Sequence, residues 1–110
     1  MNLDAAEFLE ALCAELVADG TSSRELIAIE FDPNGDKVEV LTGKKVHVAG
    51  YPDLATVLET IGETCARDHI GAQQLRRINF MEEEIKLEMV SRSGDQTIIY
   101  AFPLEEGRLI

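Results

Sequence analysis

Two cysteines, two histidines and four serines are the side chains here suited to soft-metal or nucleophilic chemistry. Cys65 and His69 stand four residues apart, about 40° around a helix, so they could share a ligand face. Adding Cys13 and His47 completes a two-cysteine, two-histidine set. Zinc sequences, however, rest on cysteines two to four residues apart, and no such pair occurs. Both cysteines instead fall mid-stripe on predicted helices, where a small hydrophobe belongs. No metal or other cofactor is expected.

Asp32-Pro33-Asn34-Gly35-Asp36 begins like a calcium loop. That loop needs Gly at its sixth position and Glu at its twelfth, and Lys37 and Gly43 stand there. The same residues make a turn: Asp first, Pro fixing φ, Gly free to take positive φ. Gly43-Lys44 carries the end of a phosphate loop, but Val38 replaces its first glycine and Lys45 its hydroxyl residue. Ser22, Ser23, Ser91 and Ser93 lie in loop contexts without a nucleophile-elbow motif, so no catalytic activity is expected. Asp68 sits at the angle of Ile61 on an apolar stripe. Burial there would raise its pKa and suit proton transfer; a helix ending near Arg67 would turn it outward, the outcome expected here.

The elements that would carry these residues read clearly. Asp4 and Glu7 have capping-box spacing, with Leu3 and Phe8 at the staple positions. Ala5, Phe8, Leu9, Leu12, Cys13, Leu16 and Val17 gather on one side of a helix that Gly20 stops. Asp4, Glu7, Glu10 and Glu15 fall opposite, a candidate acidic face for a partner. Strand period follows in Ile27, Ile29 and Phe31, a turn at 32–35, a return through Val38 and Val40, and a short third strand at Val46 and Val48. Pro52 and Asp53 open a second helix with the stripe Leu54, Val57, Leu58, Ile61 and Cys65, and Gly71 is expected to end it. Three strands, about 75–81, 85–90 and 97–102, complete the chain.

The order is αβββαβββ. Short connections favour antiparallel pairing, giving an α+β fold with two helices on one face of a five- to six-stranded, mainly antiparallel sheet. The halves are similar in order, and no sequence repeat is read between them. The 110 residues suit a single domain spanning 1–110. The order of elements is similar to that of acidic-class secretion chaperones and roadblock-type adaptors, a likeness without shared motif residues.

Charge bounds the partners. Twenty-one acids against ten bases leave −11, a field that repels nucleic acid and anionic lipid and suits a basic protein partner. The opening Met1-Asn2-Leu3-Asp4 lacks a basic leader region, and two cysteines make no disulfide framework, so a cytoplasmic protein is expected. A non-catalytic, acidic protein-interaction module (adaptor, dedicated chaperone or inhibitor) fits these features. The alternative is a small ligand-binding regulatory or enzymatic domain with a pocket between helices and sheet. Strand alternation sends Leu26, Leu41, Met81, Val90 and Ile99 to the face that two helices leave uncovered, and a homodimer through that face is expected.

Overall fold

Asp4 starts the first helix, accepting the Glu7 amide at 2.8 Å. Asp53 starts the second in the same way, accepting the Thr56 amide at 2.7 Å. These contacts come from a computed structural model, which describes residues 4–32, 37–43, 51–105 and 108–109. The helices are α1 (Ala5–Ala18) and α2 (Leu54–Arg67). The strands are β1 (Leu26–Phe31), β2 (Val38–Thr42), β3 (Leu75–Phe80), β4 (Glu84–Val90), β5 (Thr97–Glu105) and β6 (Arg108–Leu109). They form one antiparallel sheet in the order β2-β1-β3-β4-β5-β6. The fold is α+β. The expected strand at Val46 and Val48, the staple residue Leu3 and His47 lie outside the described residues.

Both helices bury their stripes against one sheet face. Ala5, Leu9, Leu12 and Leu16 from α1 meet Leu54, Val57, Leu58, Ile61 and Cys65 from α2. Beneath them lie Leu26, Ile29, Phe31, Leu75, Ile78, Phe80, Ile85, Leu87 and Met89. Burial of this apolar area is the main force holding the layers together.

The halves are more alike than their order alone implies. Placing residue n on residue n + 49 superimposes α1 on α2, the 3₁₀ turn at 23–25 on that at 72–74, and β1 on β3. The N-caps coincide as Asp4 and Asp53, the C-caps as Asp19 and Asp68. Both helices end in a Schellman motif: Thr21 N–H to Leu16 O and Gly20 N–H to Val17 O, then Ile70 N–H to Cys65 O and His69 N–H to Ala66 O. Leu9 and Leu58, Leu26 and Leu75, Ile29 and Ile78, and Phe31 and Phe80 are identical pairs in this alignment. Ile29 pairs directly with Ile78 across the β1–β3 junction, so a pseudo-two-fold axis passes between them. The expectation of order without repeat is thereby corrected. The matching residues are scattered among caps and core positions, where they make no contiguous run.

Two further corrections concern register and helix ends. Leu26, assigned to the uncovered face, is 0% exposed inside the core, whereas Ile27, assigned to the core, is 40% exposed. A bulge between Leu26 and Ala28 breaks the alternation there. An equivalent bulge lies between Leu75 and Arg77. α2 is ended by His69, not Gly71: His69 takes φ +56°, matching Gly20 at +77°.

Candidate functional site

α1 and α2 lie side by side and antiparallel. A Cβ on Gly62 would stand 3.6 Å from Ala6 Cα, while Cys13, further along α1, feels Asp53 and Glu59 at the start of α2. Small residues at the crossing bring the backbones together and leave a groove on the outer side of the pair. The groove encloses about 600 Å³ and is lined by Ala6, Leu9, Glu10, Cys13, Ala14, Val17, Ala55, Leu58, Glu59, Gly62 and Glu63. Its floor is apolar, and among the described residues its charged lining groups are the carboxylates of Glu10, Glu59 and Glu63, with no base. Val17, expected on the buried stripe, is instead 56% exposed at this groove. Two helices side by side leave the outer shoulder of each stripe uncovered, and Val17 sits on that shoulder.

Of the four acids assigned to the first helix face, Glu10 lines the groove. Glu7 and Glu15 are exposed but outside its lining, and exposed Asp4 is engaged as the N-cap. Between helices and sheet, where the alternative reading places a ligand pocket, the described core side chains form one packed cluster. Among the described residues, the gap there lined by Val57, Thr60, Ile61, Ile85, Phe102 and Leu109 leaves no room for a water molecule.

The thiols are electrostatically quiet. Burial, then Asp53 and Glu59, pushes the Cys13 thiol up; burial, then Asp68 and Asp4, pushes Cys65 up to about 11. A protonated thiol is a poor nucleophile and a poor metal ligand at neutral pH. Among the described residues, no three His, Cys, Asp or Glu side chains cluster as metal ligands would.

Asp68 caps α2 and points outward, accepting the Tyr100 hydroxyl at 2.7 Å and Arg67 Nε at 3.2 Å. Arg67 first, then Tyr100, holds its carboxyl below the usual carboxylate range. The serines serve the backbone and its turns. Ser23 Oγ donates to Pro52 O at 2.6 Å, Ser22 Oγ accepts the Arg24 amide, and Ser91 and Ser93 both donate to Asp95. Arg76 and Arg77 are occupied as well: Arg77 bonds Glu30 and Asn79, and Arg76 bonds the carbonyls of Gln73 and Leu75.

On the sheet's other face no described element covers the strands. Met81 is 38% and Ile99 55% exposed, with Ile27 nearby on the same side. Leu41 and Val90 are half-buried there. Glu30 pairs with Arg77, and Glu84 with Lys86, among these apolar residues.

Comparison with known proteins gives no match. No family model, no curated protein and no solved structure is similar to this chain.

Proposed function

We propose that this chain is a non-catalytic protein-interaction module of the adaptor, dedicated-chaperone or inhibitor kind, and that its helix layer receives a basic partner. The observation that carries this reading is the groove between α1 and α2, apolar along its floor and edged only by carboxylates. Binding surfaces combine an apolar centre with a charged rim, and a single-sign rim selects a partner of the opposite sign. The absence of any base in α1 and the overall charge of −11 act in the same direction at longer range. No helix among the described residues is long and apolar enough to cross a membrane. Free Cys13 and Cys65 suit a reducing compartment, which supports a cytoplasmic location.

Affinity capture from the native host tests this reading. Wild type should retain a basic protein stoichiometrically, and the triple change of Glu10, Glu59 and Glu63 to Gln should release it while the circular dichroism spectrum is kept. Retention unaffected by the triple change would count against the acidic groove as the binding surface.

A homodimer is the second part of the proposal, and its support is separate. Of the large hydrophobes that are exposed among the described residues, Ile27, Met81 and Ile99 lie on the uncovered sheet face, and only Val17 lies elsewhere. That face carries two ion pairs and so both signs of charge, and a second copy meets it with less repulsion than it would meet the helix layer.

A further inference from the structure

We infer that the groove between α1 and α2 seats one amphipathic helix, apolar along one face and carrying Lys or Arg on both flanks, in a pseudo-two-fold symmetric seat. This rests on the interaction reading above and specifies the occupant.

The shape of the occupant follows from backbone hydrogen bonding. The groove walls are helices, whose amides and carbonyls are spent internally, so the groove offers side-chain surface and no strand edge. An extended peptide docked there would lose water from its own backbone groups without gaining partners. A helix arrives with those groups already satisfied. Small residues at the crossing, Ala6 and Ala55 with Gly62, let a third helix approach closely. Fourteen-residue walls are about 21 Å long, which matches an occupant of about four turns.

Its charge follows from the rim. Glu10 and Glu59 are equivalent residues 49 positions apart, so the pseudo-axis places them on opposite sides of the groove. A helix lying between them needs a cation on each flank of its apolar stripe. The helix layer of a second copy cannot supply this, since α1 has no base and α2 only Arg67. The occupant is therefore not the helix layer of a second copy. The equivalent rim carboxylates Glu10 and Glu59 contribute equally, and Glu63 adds a third on the α2 side. The helix polarity is discriminated where the halves differ, at Cys13 against Gly62, Ala14 against Glu63 and Val17 against Ala66.

Cys13 is a built-in reporter: it lines the groove half-buried, whereas Cys65 is fully buried in the core. The test is Cys13 alkylation by iodoacetamide at pH 8.5 in the full chain, with three synthetic peptides added in turn. These are an 18-residue Leu/Lys amphipathic helix, its Leu/Glu counterpart, and a Gly/Lys coil of equal charge. The Leu/Lys helix should slow labelling about ten-fold at saturation, and the other two should leave it unchanged. Glu10→Gln and Glu59→Gln should each weaken that peptide by the same factor, about three-fold for an exposed ion pair. In fluorescence anisotropy, Ala14→Trp, which fills the groove from an exposed position, should abolish binding of the dye-labelled peptide. Equal protection by the Gly/Lys coil would overturn the helical occupant and leave the basic-partner reading standing. Unequal effects of Glu10→Gln and Glu59→Gln would overturn the symmetric seat. Absence of protection by the Leu/Lys helix would overturn the inference, while host capture judges the interaction reading independently.

Discussion

Tyr51 and Asp68 are tuned in opposite directions, and each contributes to a different limb of the pH–stability curve. Tyr51 is buried with its hydroxyl donating to Met81 O at 2.9 Å, and burial pushes its pKa up to about 12. A raised pKa is a contribution present below the unfolded value, about 10, and lost as pH climbs toward the folded value. Tyr51→Phe should therefore reduce the fall in stability between pH 10 and 12, at a cost of about 1 kcal/mol at neutral pH for the lost hydrogen bond. Urea titrations across that range check both. Asp68 is the reverse case. Its folded pKa is depressed by Arg67 and Tyr100, so its contribution is present above the unfolded value, about 3.9, and disappears as pH falls through the folded one. Asp68→Asn should destabilise at pH 7 and match wild type at pH 2, as read by thermal melts. Its type and helical angle marked Asp68 from the sequence. Its partner Tyr100 lies 32 residues further on in β5, a contact that no local pattern encodes.

At the scale of elements, the pseudo-repeat turns one experiment into a matched pair. Asp4→Ala and Asp53→Ala each remove an N-cap bond and should each cost about 1 kcal/mol, measured by chemical denaturation. The helix ends are not matched. Gly20 adopts positive φ freely, but His69 holds φ +56° with a side chain, so His69→Gly should stabilise by about 1 kcal/mol. Helix stripes and most strands were legible because period and cap chemistry are local. The bulge that turns Leu26 inward and Ile27 outward was not, since it is fixed by pairing with β2 across the turn. The uncovered shoulder at Val17 was equally hidden. It depends on where α2 lies, and the groove itself exists only once Gly62 meets Ala6. For the same reason Glu10 could be read as part of an acidic face from α1 alone, while Glu59 and Glu63 could join it only through the tertiary fold.

At the scale of the whole molecule, two outward surfaces divide the work. The helix layer is acidic and repels its own copy; the uncovered sheet face is mixed in charge and apolar at Ile27, Met81 and Ile99. Light scattering should give twice the chain mass of 12.2 kDa at micromolar concentration, and Met81→Lys with Ile99→Lys should give a folded monomer. Both positions are exposed, so the changes spare the core. A wild-type monomer, or a dimer untouched by the double change, would contradict self-association through this face. A dimer built this way keeps both grooves pointing outward, each free for a partner. Whether those grooves receive a basic amphipathic helix is read by a nuclear magnetic resonance titration of ¹⁵N-labelled protein with the Leu/Lys peptide. Amide shifts should concentrate at Ala6, Cys13, Ala14, Ala55 and Gly62 and leave Ile99 and Ala101 in place. Shifts confined to the sheet face, or none at all, would contradict the account.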